Sequence, residues 1–547
     1  MPGMDHHTPP AGCRSLTGPG CSGARRARVV LGAALAALLL TAPAGAGTVR
    51  VASTDALKKA LADAGTDPGR VIEIAPGTYT FDGYSLANVG STKKDGRPVR
   101  GLTVRGLGAS PGDVVLQGGG MDPNSERRSG FGFVLFDATD VVFENFTIRD
   151  VRGHLFHLKG EWGADRITFR RLRLINSGEQ FIKGTAKRWV DGVDDGLVED
   201  CHFEYEMRTF VDKKTQRARP SVLERSGPTQ ARVRLFRSVP RNPFPPDYWV
   251  GATAGAKGHA WTARVVASRV AEGTTAEQVL TFDQPVPADL PDKLILVLDR
   301  PDEELRAWGP QGGYTNAIDI HYGHNWVIRR STFVRIGTTL RSNYQHAVAA
   351  ILMWNGSENT LVERVAFLDC ESGVALGLGQ RTGGSKSYQH AGGVVKHAWF
   401  YRSRDVKGDR AFGFESSVDA RIEDAHVVLN GSFANAVEYR FPATKGFVAR
   451  GVRADAKVEN RNAPAAAEGA GAPLAANPEE VLRVVRAAIE GTPVPGQDSD
   501  LAARPRVRPA PPGPEGAATP AAEAAPAAGK GKKGKARQKQ PKPPPQP

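Results

Sequence analysis

The stretch from Thr360 to Gly379, TLVERVAFLDCESGVALGLG, joins two short runs in which apolar residues recur at every second position. Its first half is similar to GLVEDCHFEYE, which begins at Gly196. In both segments two apolar residues precede a glutamate, and further apolar residues follow two positions apart. A period of two predicts a β-strand with one buried face. The chain therefore contains nearly the same strand at two distant places.

Further copies of this strand recur at spacings of 26 to 34 residues, apart from one interval of 130 residues. The second apolar residue of each copy serves as its anchor. The anchors are Phe143, Phe169, Val198, Ile328, Val362, Val395, Ile422 and Val448. Five residues after each anchor the side chain is apolar in seven copies of eight, and Arg453 is the exception. Stacked coils can bury such a face whereas one coil cannot, so the repeat predicts a solenoid.

A second strand precedes the first in each coil, in fragments such as EQFIKG, NAIDIHYG and AAILMWNG. Two short strands per coil without intervening helices indicate parallel sheets. After Ser53, TDALKKALADAG predicts a helix that covers the first coil. The helix, IEIAPGTYTF and the coils together resemble right-handed parallel β-helix proteins of the pectate-lyase-like superfamily, over about Thr48 to Ala463.

The resemblance implies an all-β fold, a right-handed parallel β-helix solenoid with an N-terminal capping helix. It leaves function open, because that superfamily includes polysaccharide lyases, glycoside hydrolases, epimerases and non-catalytic surface proteins. Polysaccharide is the class of ligand that it implies.

Composition suggests how the chain is divided. Residues 1–46 show the basic, apolar, small-residue order of a signal peptide, which predicts a secreted, periplasmic or cell-envelope protein of bacterial type. The apolar run VVLGAALAALLL is too short to span a membrane, so we expect no transmembrane helix in the mature protein. We expect β-helix over 47–207 and 311–463, and an inserted antiparallel β domain over 208–310. Residues 464–547 predict a linker, one helix in NPEEVLRVVRAAIEG and a disordered basic tail.

The net charge of +14 is concentrated near the C-terminus, where KGKKGKARQKQPK contains seven lysines or arginines and no acid. The simplest interpretation is a solvated, disordered tail, and contact with anionic envelope polymers is the alternative that its charge allows. Nucleic-acid binding fits an exported protein poorly, so we expect none. Cys201 and Cys370 belong to different columns about two coils apart, beyond the roughly 7 Å that a disulfide spans, which predicts two free, buried thiols.

The second strand of each coil offers a candidate site, because residues that alternate with the buried ones should face solvent. A register slip of one residue would invert this assignment. The resulting outer strip consists of His157, Lys159, Lys183, Asp319, His321, Trp354, Gly377, Glu415, Glu438 and Arg440. We expect polysaccharide to lie along it, with Trp354 stacked on a sugar and Gly377 leaving room for a ligand. His390, in a turn before a strand, is expected to overhang the same cleft.

Two reactions suit these side chains. For β-elimination on a uronic acid, Lys183 or His321 would be the base and Arg440 or Lys159 would hold the carboxylate. For hydrolysis, Asp319 and Glu415 would act as the two carboxylates, but a separation of about 14 Å exceeds both glycosidase geometries. The sequence therefore favours a lyase, with a non-catalytic glycan-binding protein as the alternative and a glycoside hydrolase third. A charged, solvated sheet face is the plainer interpretation of any single residue.

The segment DGVDDGLVED includes Asp191, Asp194 and Asp195, a density of oxygen ligands at which Ca²⁺ binding is considered. Its glycine spacing does not match an EF-hand loop, and a solvated turn is the competing interpretation. No other cofactor is indicated.

Overall fold

The structure, a computed structural model, describes residues 47–91, 97–121, 129–188, 191–212, 216–234, 247–272, 277–299, 303–309, 315–337, 349–380, 387–464, 468 and 472–498. The signal-like segment and the basic tail lie outside these residues, so export and envelope contact stay predictions. In the described part of the chain, no helix is long and apolar enough to cross a membrane.

The chain folds as a right-handed parallel β-helix. Its largest sheet, here the long sheet, has twenty short parallel strands. They are Thr48–Val51, Val71–Ile74, Gly77–Thr80, Val99–Arg100, Thr103–Gly106, Val114–Gln117, Ala138–Glu144, Thr147–Val151, Asp165–Arg170, Arg173–Ser177, Leu197–Glu199, His202–Glu204, Val327–Arg329, Thr332–Val334, Leu361–Leu368, Val394–Tyr401, Arg421–Glu423, His426–Val428, Val448–Arg450 and Arg453–Ala454.

A second parallel sheet of ten strands carries the second strand of each coil, and a three-stranded sheet lies at a turn between coils. The ten strands are Gly83–Val89, Ser129–Leu135, Phe156–Lys159, Ile182–Thr185, Ile318–His321, Ala349–Trp354, Ser372–Leu376, Phe412–Glu415, Asn435–Arg440 and Lys457–Arg461. The three short ones are Ser357–Glu358, His390–Ala391 and Ser417–Val418. Both sheets turn their apolar residues to one continuous interior.

The predicted register holds through seven anchors and is off by one residue at the eighth. Ile422 pairs with Ala449, not with Val448. Counting from Ala449, the fifth residue is Ala454, which is buried beside Val427. The exception at Arg453 therefore disappears, because this coil is apolar in the same column as the others.

The interior column forms a continuous aromatic stack. The Phe203 and Phe333 rings lie 4.8 Å apart between centroids, those of Phe333 and Phe367 5.0 Å apart, and those of Phe367 and Phe400 5.9 Å apart. Phe203 and Phe333 are neighbours although the inserted segment separates them in sequence. The insertion thus leaves the stacking of coils unbroken.

A repeated corner divides the long strands in two. Two residues after each anchor the backbone adopts a left-handed conformation, with φ between 47° and 63°. The corner residues are Asn145, Arg171, Asp200, Arg330, Arg364, His397, Asp424 and Gly451. This conformation costs about 1–2 kcal/mol for most side chains, so the fold rather than local preference fixes the corner.

Both predicted helices are present. The N-terminal helix, Thr54–Ala62, is capped by the Ser53 hydroxyl and buries Leu57 and Leu61 against the first coils. The C-terminal helix, Pro478–Ile489, is capped by Asn477 and packs on the outer side of the long sheet. Within the described residues, 3₁₀ turns also occur at Asp63–Thr66, Pro111–Asp113 and Gly160–Trp162.

The inserted segment is antiparallel, as its alternation predicts. Arg208–Asp212 pairs with Glu303–Ala307, and a separate seven-stranded sheet follows within the insertion. Its strands are Gln216–Ala218, Ser221–Gly227, Gln230–Arg234, Thr253–Ala256, Thr262–Val270, Glu277–Phe282 and Leu294–Leu298. It has a hydrophobic core of its own around Trp249, Leu280 and Leu296.

Cys201 and Cys370 are free and fully buried, as predicted. Burial raises the pKa of each thiol to about 12, so both stay protonated and unreactive near neutral pH.

Candidate functional site

The outer face of the ten-stranded sheet has the predicted register. The isoleucines Ile182, Ile318 and Ile320 belong to the interior core. Their neighbours point to the other face, where Lys183 pairs in register with His157 on one side and with Asp319 on the other. The alternation in the sequence therefore assigns this face correctly.

A compact polar group, here the lysine–histidine centre, consists of Lys183, Asp319, His321 and Trp354. The Lys183 ammonium donates to Asp319 Oδ2 at 2.6 Å and to His321 Nε2 at 2.9 Å. Trp354 Nε1 donates to Asp319 Oδ1 at 2.9 Å, and its ring meets the His321 ring edge-on at 4.6 Å. Neighbouring strands supply all four side chains, so the sheet itself sets the geometry.

His321 is a neutral imidazole at neutral pH. Burial and, secondly, the positive charge of Lys183 lower its pKa to about 4, although the Asp319 carboxylate acts in the opposite direction. Because Nε2 accepts from the ammonium, Nδ1 holds the ring proton. An ammonium has three N–H groups, and Asp319 and His321 receive two of those on Lys183. No other described residue accepts the third N–H group, which is left for a ligand.

Access to the centre is narrow. The side chain of His321 is 21% exposed and that of Lys183 9%, whereas that of Asp319 is fully buried. Trp354 is half-buried beside them. A ligand would therefore meet the imidazole and the indole before it reached the ammonium.

An aromatic strip leads to the centre from the N-terminal end of the sheet. Tyr84 is 72% exposed, and its ring lies 5.1 Å from that of Phe131. Phe131 in turn lies 5.6 Å from the His157 ring and 5.5 Å from the His154 ring. Burial holds the pKa of His157 at about 2 and that of His154 at about 3, so both rings are neutral. Both histidines are buried, so Tyr84 and Phe131 are the rings of this strip that offer an uncharged stacking surface.

Lys159 adds a second cation near this surface. Its side chain is 24% exposed, and its ammonium lies 3.9 Å from the Glu161 carboxylate. Burial lowers its pKa, and the repulsion of Lys183 acts in the same direction. Glu161 also accepts a hydrogen bond from the Thr185 hydroxyl at 3.0 Å. Lys159 thus lies one strand from Lys183 and is more accessible.

The remaining members of the outer strip form a separate arginine–glutamate cluster of Arg410, Glu415, Glu438 and Arg440. Arg410 and Arg440 both donate to Glu415 Oε1, the latter at 2.6 Å. Glu438 Oε1 accepts from Asn435 at 2.6 Å. Three strand steps separate Asp319 from Glu415, about 14 Å. The structure therefore does not bring Arg440 or Glu415 to the lysine–histidine centre.

The expectation that the strip is solvent-exposed is wrong for four of its charged members, whereas Lys159 and Arg440 are partly exposed. Asp319 is 0% exposed, Glu415 and Glu438 are 1% exposed, and Lys183 is 7% exposed. Opposite charges on adjacent strands pair with one another, which allows them to be buried. The alternation in the sequence identifies which side chains share the outer face, but it does not show how deeply they are buried.

Two predicted ligand contacts are also wrong. A Cβ on Gly377 would lie 1.9 Å from the Glu415 carbonyl oxygen, so this glycine, at φ +90°, admits the next coil and leaves no gap for a ligand. His390 is fully buried in the turn sheet, where its Nε2 lies 2.9 Å from the Thr360 hydroxyl. It does not overhang a cleft, because the stacked turns enclose it.

The aspartates proposed for Ca²⁺ are held by protein groups. Asp191 accepts from Arg188, Asp194 accepts from the His324 backbone N–H at 3.0 Å, and Asp195 accepts from Asn325. No group of three acidic, histidine or cysteine side chains in the described part of the chain could hold a metal ion. The solvated-turn interpretation fits these contacts better than a calcium site.

Sequence reasoning missed Tyr84, Phe131 and Arg410. Arg410 precedes its strand by two residues and reaches Glu415 from a turn, so alternation could not identify it. The fragment FDGYSLANV, with an aromatic among small and polar residues, was the available signal for Tyr84.

No protein-family model and no curated protein matches this chain. Among solved structures, an alginate lyase from Paenibacillus sp. FPU-7 is 13% identical, with a TM-score of 0.40 over 76% of this chain and 99% of that chain. A polygalacturonase from Erwinia carotovora is 10% identical, with a TM-score of 0.31 over 76% and 96%. PfbA, a surface adhesin of Streptococcus pneumoniae, is 10% identical, with a TM-score of 0.31 over 75% and 87%.

Proposed function

We propose that this protein binds an acidic polysaccharide along the outer face of its ten-stranded sheet and cleaves it by β-elimination at the lysine–histidine centre. The observation that carries the proposal is the contact between a neutral, partly exposed imidazole and an ammonium, His321 Nε2 to Lys183 Nζ at 2.9 Å. Elimination beside a carboxylate requires a base and a cation next to each other.

The cations would receive the carboxylate of a uronic acid. Lys183 has one N–H group left after Asp319 and His321, and Lys159 lies one strand away with part of its side chain in solvent. Neutralising the carboxylate makes the hydrogen on the adjacent carbon more acidic, because the carbanion then spreads its charge onto paired oxygens.

His321 would be the base. As Lys183 turns from the imidazole to the substrate carboxylate, Nε2 is freed to take the proton from the carbon next to the carboxylate. The electron pair forms a C=C bond, the glycosidic C–O bond at the following carbon breaks, and the leaving oxygen takes the proton from the imidazolium. The negative substrate raises the pKa of His321 above that of the free protein, since nearby negative charge favours the imidazolium.

The aromatic strip would hold the neighbouring sugars. Phe131 lies one strand and Tyr84 two strands beyond His157, and neighbouring strands lie about 4.8 Å apart. Sugar rings have apolar faces that stack on such surfaces. Trp354 would contact the sugar on the opposite side of the centre.

The test is incubation with alginate, pectate and a glycosaminoglycan, followed by ultraviolet absorbance of the new C=C bond and by a reducing-end assay. We expect absorbance and reducing ends to rise together on one of the three polymers. Lys183→Ala and His321→Ala should abolish both signals, whereas Lys457→Ala, an exposed lysine at the far end of the same sheet, should leave them unchanged. Full activity in either centre variant would refute the proposal.

A non-catalytic glycan-binding protein is the second candidate, and the burial of Lys183 favours it. A lysine whose side chain is 9% exposed and whose ammonium is already paired with Asp319 suits a structural role. Retention on a polymer column without any product would support this function. Reducing ends without ultraviolet absorbance would support hydrolysis, for which the distance between Asp319 and Glu415 is unsuitable.

A further inference from the structure

The inserted sheet contains a concave site that the lysine–histidine centre does not explain. A cavity of about 750 Å³ opens on the face formed by strands Thr253–Ala256, Thr262–Val270 and Leu294–Leu298. Thr253 pairs with Arg264 on one side and with Val297 on the other, so these three side chains form its floor. Its lining also includes Trp261 and Pro285 and the polar residues Thr262, Asp283, Gln284 and Asp299. Its size lies in the usual range for ligand sites.

Trp261 is held as a rigid wall of this cavity. Its Nε1 donates to the Pro285 carbonyl at 2.9 Å, and its ring packs edge-on against Phe282 at 5.3 Å. The ring is nevertheless only half-buried. A fixed aromatic with an exposed surface offers stacking area at little cost in conformational entropy.

The polar groups around the ring suit a carboxylated sugar. Arg264 is exposed and makes no ion pair with any described residue. The Asp283 carboxylate, in contrast, accepts from the Arg264 backbone N–H at 2.7 Å. Thr253, Thr262 and Gln284 are exposed hydrogen-bonding groups on the same lining. Asp283 and Asp299 lie on the same lining and can accept hydrogen bonds from sugar hydroxyls. An apolar wall, these hydroxyl-binding groups and the Arg264 guanidinium match the apolar face, the hydroxyls and the carboxylate of a uronic acid.

We infer that the inserted domain holds a second, non-catalytic saccharide site that binds uronic-acid residues through Trp261 and Arg264. The choice of an acidic sugar rests in part on the proposed function, but the site is independent of the lysine–histidine centre. It would keep the protein on the polymer between cleavage events.

The experiment is affinity electrophoresis of the full chain in gels that contain alginate, pectate or neutral dextran. All proteins carry Lys183→Ala so that the polymer stays intact. We expect an acidic polymer to retard the protein, and Trp261→Ala and Arg264→Gln each to raise Kd about tenfold, which corresponds to about 1.4 kcal/mol. Val266→Ala, an exposed apolar residue on the same strand, should leave Kd unchanged.

Arg264→Gln keeps the test valid if Trp261→Ala unfolds the insertion, because Arg264 is exposed. Unchanged Kd in Arg264→Gln, equal retardation by dextran, or no retardation at all would overturn the inference. The two proposals can fail separately. If retardation depends on Trp261 and Arg264 but the unsubstituted protein cleaves none of the polymers, the saccharide site is supported and the proposed lyase is refuted.

Discussion

Four histidines predict a steep loss of stability in mild acid. Burial lowers the pKa of His321 to about 4, of His154 and His390 to about 3 and of His157 to about 2. In the unfolded chain each would titrate near 6.5. Below that pH the unfolded chain binds protons that the folded chain rejects, so stability is full above pH 6.5 and falls as pH decreases.

The magnitude follows from linkage. Between pH 7 and pH 5.5 each such histidine removes about 1.2 kcal/mol, and four remove about 5 kcal/mol. Asp165 acts in the opposite direction, because burial raises its pKa to about 6 and the folded state then gains a proton below that pH. This offsets about 0.8 kcal/mol, which leaves a net loss of about 4 kcal/mol. Such a loss is a large part of a typical unfolding free energy.

Urea unfolding at pH 7 and pH 5.5, followed by circular dichroism, measures this difference. His390→Leu should reduce the pH dependence by about 1.2 kcal/mol whatever its stability at pH 7, since it removes one titrating group. Thr360→Val removes the hydroxyl next to His390 Nε2 but keeps the imidazole, so it should leave the pH dependence intact. Equal unfolding free energies at the two pH values would refute the reasoning.

Three further predictions concern single contacts. Phe333→Ala should lower the unfolding free energy by about 3–5 kcal/mol and Phe333→Leu by less, because the ring is fully buried between two others. Urea titration measures this loss, and a loss below about 1 kcal/mol in Phe333→Ala would contradict the stack. Arg171→Gly should raise it by up to about 1 kcal/mol, since Arg171 is exposed at φ +48°, and a decrease would contradict the strain at the corner. Asp319→Asn should cost about 3–5 kcal/mol because it leaves the Lys183 ammonium buried without its partner, and an unchanged melting midpoint would contradict that burial.

The repeat made the fold predictable in detail. Apolar residues two apart, recurring once per coil, fixed both the strands and their partners from Phe143 to Ile422. One anchor was assigned wrongly: Val448 was chosen where the structure has Ala449. The reason is that the last coil has small residues in the interior column and a larger apolar residue beside them. Where the buried residue is alanine, the alternation of apolar and polar residues no longer shows clearly which position faces the interior.

The candidate site was predictable only in part. Period-two alternation placed Lys183, Asp319 and His321 on one face of adjacent strands, where they are in contact. It gave no information on depth, so the burial of Asp319 and Glu438 was missed. Nor could it show that Arg410 would neutralise Glu415, because that arginine approaches from a turn outside the repeat.

The insertion between neighbouring coils has a consequence for how the chain assembles. Val198 and Ile328 are adjacent in space but 130 residues apart, so joining them by random closure costs about 1.3 kcal/mol more than joining coils 30 residues apart. The pairing of Arg208 with Ala307 closes most of this loop within the insertion itself, so that a folded insertion leaves only short connections between the two coils. The short antiparallel pair at the base of the insertion therefore holds the two parts of the β-helix close to each other, so that they can stack as one solenoid.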